Sequence, residues 1–420
     1  MTPRRNWAGN QTYNANRVLA PSSVEEVQEI AASSRRLRVV GSGHSFNDLA
    51  DTTGDHVSLA ELPRTFVVDG DAGTVTVDGG ARYREVCARL HAAGFAFANL
   101  ASLAHISIAG ACATATHGAG ARLGNLATVV AAVDIVRADG EIESFARGTA
   151  GFDGAVVSLG ALGVVTRLTL DIEPTFHVAQ VVYEQMPFAR ALESFDAIQA
   201  AGYSVSLFTD WSEPGFHQVW LKRRSTSSAI DLPTRLFGAR AATGQRHPVR
   251  GYPADACTDQ GGVVGPWHGR LPHFRADHVP STGDELQSEY LVGRPDAEAA
   301  LQALAGIGPR LARVILVTEI RAVAKDTFWL SPMYGRDSVA FHFTWRRDPD
   351  AVSSVLPVVE HALRPFDPRA HWGKLFSLEA SAVRAGYERR TDFVKLARRL
   401  DPDHNFGNAF VDRYVFGPRD

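Results

Sequence analysis

The sequence predicts an α+β protein, and three observations lead to that class. Strand-like and helix-like segments follow one another in irregular order up to about residue 175, unlike the regular βαβ alternation of a doubly wound sheet. Two segments rich in glycine and other small residues, 39–48 and 100–120, interrupt this region. Beyond Pro174 the chain turns to longer aromatic segments with strand-like patterns, such as "YSVSLFTDW".

Length, charge and cysteine content exclude several kinds of protein. A chain of 420 residues is too long for one ordinary core and suggests two or three domains. The net charge of −3 offers no basic field for nucleic acid or anionic lipid, and no stretch approaches the ~18 apolar residues of a membrane span. The cysteines at 87, 112 and 257 form no Cys-x-x-Cys pair, and the 15 histidines show no recognised ligand spacing. We therefore expect a cytoplasmic protein without a signal peptide, disulfide framework or metal site, and a monomer by default.

The first region opens with a capped helix. Residues 21–34 carry Ser23 and Glu26 at capping-box spacing, and Val24, Val27 and Ile30 form an apolar stripe. The other elements predicted here are a strand, glycine turn and helix at 73–94, a hairpin at 129–146 with a two-residue turn at Asp139-Gly140, and a strand at 160–174.

The second region is predicted to be rich in strands. A loop-like stretch rich in Pro, Gly, His and Asp occupies about 224–283. A helix over 294–308, strands at 313–323 and 337–345, and a helix over 350–365 follow it. We place a domain boundary near residue 175.

The first candidate site is the glycine turn in "VVGSGHSFND". In Gly41-Ser42-Gly43, successive backbone N–H groups can point one way and form an anion-binding nest. The turn lacks the later glycine of a dinucleotide fingerprint and the Lys-Ser/Thr of a P-loop. From these residues alone, a plain turn between two elements is the alternative, and His44 has no assigned role.

The second candidate is "LASLAHISIAGACATATHGAG" at 100–120. Its small residues suit close approach to a flat ligand or, alternatively, tight packing of an internal segment. Its hydroxyl groups belong to Ser102, Ser107, Thr114 and Thr116. Two such segments in one region favour a large phosphorylated cofactor more strongly than either segment does alone.

Two predicted strands carry polar residues at strand spacing. Glu319 and Arg321 share one face of the first, and His342 and Thr344 share one face of the second. Either these faces are the wet side of a half-exposed sheet, or together they line a pocket whose donors and acceptors suit a polyol. Lys374, in "HWGKLF", is either a surface lysine or a residue of that pocket.

Several of these stretches together resemble one flavoprotein family. "GSGHSF", "SLAHISIAGACATATHG" and "SLGALGVVTRLTLDIEP" look like the flavin domain of the vanillyl-alcohol-oxidase family. "VWLKRR", "LPHFRADHVPSTGDELQSEY", "EIR", "WLSPMYGRDSVAFHFTW", "HWGK" and "NFGNAFV" resemble its bacterial alditol (xylitol/sorbitol) oxidases. The family's pattern has Pro at 104 and Gly at 115, where this chain has Ala104 and Ala115.

The resemblance implies an FAD-binding domain of residues 1–175, completed by about 370–420, and a cap domain of 176–369 with a large antiparallel sheet flanked by helices. It implies FAD attached covalently to His44, with the backbone of 41–45 on the pyrophosphate. The implied cofactor-binding residues are Gly41, Ser42, Gly43, His44, Ser45, Ser102, Ser107, Gly110, Thr114, Ala115, Thr116, His117 and Val164.

The resemblance also implies the reaction. The terminal alcohol of an alditol would pass a hydride to the flavin and become an aldose, and dioxygen would take the electrons to give hydrogen peroxide. Arg321 and Lys374 would hold the C1 hydroxyl, with Lys374 or His342 accepting its proton. Ser102, Glu319, His342 and Thr344 would bind the other hydroxyls. A sugar-lactone or aldose oxidoreductase with a different electron acceptor is the alternative.

Overall fold

The computed structural model describes residues 4–225, 233–277 and 284–418, so parts of the predicted loop-rich stretch (226–232 and 278–283) lie outside it. Its α-helices, α1 to α12 in chain order, are Val24–Ser33, Tyr83–Ala92, Ile108–Ala113, Phe152–Ala155, Phe188–Glu193, Phe195–Ala200, Ala297–Gly306, Gly308–Leu311, Pro349–Leu363, Ala380–Ala385, Arg390–Leu400 and Ala409–Val411. Short 3-10 helices lie at Asp48–Ala50, Leu59–Glu61, Leu126–Val129, Trp267–Gly269, Arg294–Asp296 and Arg364–Phe366, and a π-helical turn lies at Asp412–Phe416.

The strands are numbered in chain order in the same way. β1 to β10 are Arg17–Leu19, Leu37–Val39, Asp55–Val57, Phe66–Asp69, Thr74–Asp78, Phe95–Ala96, Val130–Val136, Ile142–Ala146, Val164–Asp171 and Glu173–Pro174. β11 to β20 are His177–Met186, Ser204–Thr209, Phe216–Ser225, Arg235–Leu236, Ala239–Ala241, Gly265–Pro266, Glu285–Gly293, Ile315–Val323, Ser338–Arg346 and Arg369–Ala370.

The described strands form four sheets, three before residue 175 and one large sheet after it, and the predicted α+β class is confirmed. Before residue 175, β1-β3-β2 make a small parallel sheet and β4-β5-β9-β7-β8 an antiparallel one, while β6 pairs with β10. After it, β14-β15-β11-β13-β12-β18-β19-β17-β20 make a large antiparallel sheet, with β16 added beside β11. The predicted division into two domains with a boundary near 175 stays a prediction.

The large sheet buries both of its faces. In β18, Ile320 joins the apolar core formed with helices α7 and α9, whose Leu301 and Val359 are fully buried. Glu319 and Arg321 alternate with Ile320 on the opposite face and are also buried, each with about 4% of its surface exposed. Of the two alternatives for these polar faces, the wet side of a half-exposed sheet is therefore excluded, because the four side chains are buried and line a cavity.

The C-terminal segment packs against the first part of the chain. The amide of Asn408 donates to three carbonyls of the turn after β2, those of Asp48, Leu49 and Asp51. The buried Arg38 guanidinium donates to the carbonyls of Phe406 and Gly160 as well as that of Leu49. These bonds fix the strand that leads into the glycine turn.

Two local predictions need correction. The hairpin of β7 and β8 has a three-residue loop, closed by the Arg137 N–H to the Glu141 carbonyl, and of Asp139 and Gly140 only Gly140 has a positive φ (84°). A two-residue type I′ turn would need positive φ at both. In helix α1, Ser23 does accept from the Glu26 N–H, but the Glu26 carboxylate accepts from the backbone of Ser22.

In the described part of the chain, no helix combines the length and apolar character needed to cross a lipid bilayer. The three cysteines are buried and free.

Candidate active site

The predicted site residues line one cavity of about 600 Å³. The segments around 38–50, 101–117 and 158–165 line one side, and the polar face of the large sheet with the 371–374 segment lines the other. Every predicted cofactor or substrate residue lines it except Ala115 and Val164. Val164 instead packs into the apolar cluster around α1, while its neighbours Gly163 and Val165 reach the cavity, as alternation along β9 requires.

His44 lies on the cavity wall with its ring held in place. The Trp7 ring stacks on it with centroids 4.3 Å apart, and the His105 ring lies 5.0 Å away. Burial, with His105 adding to it, lowers the pKa of His44 to about 3, so the imidazole is neutral at pH 7. Its Nε2 is buried and finds no hydrogen-bond partner among the described residues.

The small residues on this side have a steric reason. A Cβ added at Gly41 would overlap the Ser107 hydroxyl, and one at Gly110 would lie 2.7 Å from it. Gly43 has a φ of +66°, which favours glycine. The glycine turn and the 100–120 segment therefore touch each other across Ser107, and both line the same cavity.

Ala115 lies in the left-handed region, with a φ of +51°, and is fully buried. Replacing Ala115 with glycine relieves about 1–2 kcal/mol of backbone strain. The lost burial of the methyl group and the greater entropy of the unfolded chain together cost about 1–2 kcal/mol, which offsets that gain. We expect Ala115→Gly to change the unfolding free energy by less than about 1 kcal/mol. Ala31→Gly, at a buried position inside α1, should cost about 2 kcal/mol. If chemical denaturation showed the same loss of unfolding free energy for both variants, the proposed backbone strain at Ala115 would be contradicted.

The polar side chains of the large sheet meet because of strand register. Glu319 of β18 pairs with His342 of β19, and His342 pairs in turn with Glu289 of β17. One step along the same face, Val317 and Gln287 flank Thr344. The two polar strand faces that the sequence predicts thus form one continuous surface inside the cavity.

Glu289 is the centre of this surface, and the sequence did not single it out. Its carboxylate is 1% exposed, and it accepts from Lys374 Nζ at 2.6 Å and from Arg321 Nη2 at 2.7 Å. His117 Nε2 lies 3.2 Å from the same carboxylate. Burial alone raises the pKa of Glu289, but Lys374, His117 and Arg321 outweigh it and hold that pKa well below its usual value.

On this polar surface the carboxylates of Glu289 and Glu319 lie beside the cations of Arg321 and Lys374, so the charges of these four side chains cancel. Burial raises the pKa of Glu319, but Arg321 and His273 reverse this and lower it. Burial lowers the pKa of Lys374, and Glu289 opposes that shift. For Arg321, Glu319 and Glu289 overcome the effect of burial and raise the pKa. A neutral, hydroxyl-rich molecule matches this balance better than an anion does.

Lys374 is a residue of the pocket and not of the surface. Its segment lies against β17 through the His371 and Leu375 N–H groups, and against the glycine turn through the Asn47 amide, which donates to the Lys374 carbonyl. Lys374 Nζ lies 2.6 Å from Nδ1 of His342, whose Nε2 lies 3.2 Å from the Thr344 hydroxyl. Burial lowers the pKa of His342 to about 4, with Lys374 adding to it, so His342 is neutral at pH 7.

One donor of the site stays unused. Arg321 Nε is buried and makes no hydrogen bond within the described ranges. The Oε1 atom of Glu319 lies 3.6 Å from it, too far for a hydrogen bond. Together with Nε2 of His44, it is an unsatisfied polar atom on the cavity wall, and a buried atom of this kind calls for a ligand.

Comparisons with known proteins agree with this arrangement. A family model described as an FAD binding domain matches residues 15–146, and one described as D-arabinono-1,4-lactone oxidase matches 284–414. The alditol oxidase of a Streptomyces species is 52% identical over 97% of this chain and 97% of its own length. The chain belongs to the alditol oxidases of the vanillyl-alcohol-oxidase flavoprotein family.

More distant relatives carry other names on the same scaffold. The L-gulono-1,4-lactone dehydrogenase of Mycobacterium tuberculosis is 30% identical over 98% of this chain and 99% of its own length. The crystal structure of cholesterol oxidase from B. sterolicum superposes with a TM-score of 0.79 at 15% identity, covering 98% of this chain and 96% of that one. That likeness shows the fold alone.

The residues of this alditol oxidase family member fit FAD. Gly41 and Gly110 pack against Ser107 with no room for a Cβ, and all three residues line the cavity, a small-residue wall that suits the close approach of a pyrophosphate. His44 presents a neutral, unpartnered nitrogen beside them. The chain is an FAD-dependent oxidoreductase.

Proposed function

We propose that this protein oxidises the terminal primary alcohol of an alditol such as xylitol or sorbitol to the aldose, using FAD attached to His44. The observation that carries the proposal is the buried, unpartnered Nε of Arg321, which lines the cavity within a polar, charge-balanced set of side chains. When bound, FAD would supply the acceptor for the hydride of C1 and a route for the two electrons to dioxygen, giving hydrogen peroxide.

Arg321 and Lys374 bind the C1 oxygen and stabilise negative charge as its proton leaves. The Glu289 carboxylate, 2.6 Å from Lys374, favours the ammonium form of that lysine, which then has no lone pair to accept a proton. His342 is neutral, and its Nδ1 lies 2.6 Å from that ammonium, so Lys374 passes a proton to Nδ1 as it takes the proton of the C1 hydroxyl, and we assign final proton acceptance to His342. The charged contacts also orient C1 before reaction.

Glu319, Thr344 and Ser102 bind the remaining hydroxyls. Glu319 and Thr344 follow one another along the sheet face, and Ser102 enters the cavity from the segment opposite. Residues 41–45, Ser107, Gly110 and Thr114 to His117 hold the FAD, with Ala115 contributing backbone only. Residues 1–175 with 370–420 form its domain, and 176–369 form the cap that carries the polyol site.

Replacing His44 with alanine should leave FAD bound without a covalent link. Acid precipitation should then carry the yellow colour into the pellet for the wild type and leave it in the supernatant for His44→Ala. His105→Ala is the matched control, because the two rings lie 5.0 Å apart and only His44 is the proposed attachment site. Colour that stays with precipitated His44→Ala would place the link elsewhere.

A substrate panel tests the reaction itself. Purified protein is given xylitol, sorbitol, mannitol, glycerol and L-gulono-1,4-lactone, and peroxide is measured beside reduction of an artificial dye. We expect peroxide with the alditols and the aldose as the organic product. Turnover of the lactone only, or of alditols with dye but without peroxide, would support the lactone or dehydrogenase alternative.

A further inference from the structure

A second buried lysine lies behind Glu319, on the side away from Lys374. Lys222 of β13 is 1% exposed, and β12 separates its strand from β18. His273 lies between Lys222 and Glu319 and is also buried. Its backbone N–H, like that of Phe274, donates to the Ser102 carbonyl, which fixes the loop against the opposite wall of the cavity.

Every N–H of the Lys222 ammonium has an acceptor. Nζ donates to the carbonyls of Leu271 and Pro272 and lies 3.1 Å from Nδ1 of His273. Lysine has no competing acceptor of its own while protonated, so Nδ1 receives the hydrogen bond and the proton of the neutral ring is on Nε2. Nε2 lies 2.7 Å from Oε1 of Glu319 and therefore donates to it.

The charge states of the two side chains decide when this direction holds. Burial lowers the pKa of His273 to about 4, and Lys222 adds to the shift, so the ring is neutral and its tautomer matters. Burial lowers the pKa of Lys222 to about 7, with Glu319 opposing, so the ammonium form that fixes the tautomer predominates below that pH and is lost as pH rises through it. The same order of groups occurs on the other side of the site, where Lys374 faces Nδ1 of His342 and Nε2 of that ring faces Thr344.

We propose that Lys222 and His273 are positioning residues, which hold Glu319 in the rotamer and charge state that bind the substrate hydroxyls. Lys222, which does not line the cavity, fixes the tautomer of His273, and His273, on the cavity wall beside Glu319, then orients the Glu319 carboxylate. Without Lys222 the ring can carry its proton on Nδ1 and turn a lone pair toward the carboxylate, which repels it. The proposal rests on the proposed function through the role of Glu319.

The kinetic test is a double-mutant cycle in the flavin-loaded protein. Lys222→Met keeps the chain length but removes the donors, and should raise the KM for xylitol about tenfold or more with little change in kcat. In a Glu319→Gln background the same change should alter KM by less than about twofold. Lys395→Met, at an exposed position of α11, is the charge control and should leave both constants unchanged. A KM effect of equal size in both backgrounds, or a loss confined to kcat, overturns the proposal.

A second pair of variants covers the case in which Lys222→Met does not fold. His273→Gln retains an N–H donor toward Glu319 and should stay near the wild-type KM, whereas His273→Leu should match the expected Lys222→Met value. Equal KM values for the two variants overturn the proposal.

A spectroscopic readout decides the matter even if the wild type oxidises no alditol. ¹⁵N-histidine spectra, with His273 assigned from its loss in His273→Gln, should show the Nε2–H tautomer in the wild type. An Nδ1–H tautomer or a charged ring in the wild type would overturn the proposal, whatever the substrate of the enzyme proves to be.

Discussion

Glu289→Gln should lower the free energy of unfolding by about 3–5 kcal/mol, a large part of the stability of an ordinary domain. The substitution preserves the shape of the side chain but leaves the buried Arg321 and the largely buried Lys374, 14% exposed, without their shared counter-charge. Chemical denaturation of both proteins, each saturated with FAD, measures the loss. The large effect comes from desolvated cations that the protein cannot move to water.

Glu184→Gln provides the matched control on the same sheet. Glu184 pairs with Arg246, and both side chains are one-third exposed, so the expected loss is below about 1 kcal/mol. The Glu289 contribution also has a defined pH range. Since the pKa of Glu289 is lowered in the folded protein, its stabilisation is full above the unfolded value of about 4.3 and is lost as pH falls through the folded value. Equal losses for the two variants at neutral pH would contradict the central role of Glu289.

Arg321→Met should lower kcat/KM for xylitol about a thousandfold, the second large effect. The variant loses the charged donor that the proposed mechanism places on the C1 oxygen, where charge develops as the proton leaves. Steady-state kinetics measures the loss, and flavin content per protein shows whether the cofactor site survives. A residual activity within about tenfold of wild type would remove Arg321 from the reacting centre.

Two companion variants sharpen that result. Arg321→Lys retains the charge but not the planar donor set, so it should recover only part of the activity. Arg240→Met changes an exposed arginine of β15 in the same sheet and should behave as wild type. Loss of activity in the Arg240 variant would point to a general effect on the sheet.

The sequence predicts most of the individual strands and site residues because their signals are local. The i, i+2 spacing of Glu319 with Arg321, and of His342 with Thr344, indicates a shared face without knowledge of the fold. Composition alone also marks the two segments, 39–48 and 100–120, in which Gly41, Gly110 and Ser107 pack against one another.

The missed residues depend on which strands are neighbours. Glu289 has the same i, i+2 spacing with Gln287, but its importance comes from the β17–β19 register, which brings it beside His342. Lys222 and His273 are 51 positions apart in sequence, and only folding places them in line behind Glu319. A buried lysine cannot be told from a surface lysine by its sequence alone, and Lys374 shows the same difficulty.

The most direct test of the central claim is anaerobic mixing of the purified yellow protein with xylitol, followed by admission of air. We predict that xylitol bleaches the visible flavin absorbance, and that air restores it with an equimolar yield of peroxide. A flavin that stays oxidised with every alditol, while L-gulono-1,4-lactone bleaches it, would contradict the claim.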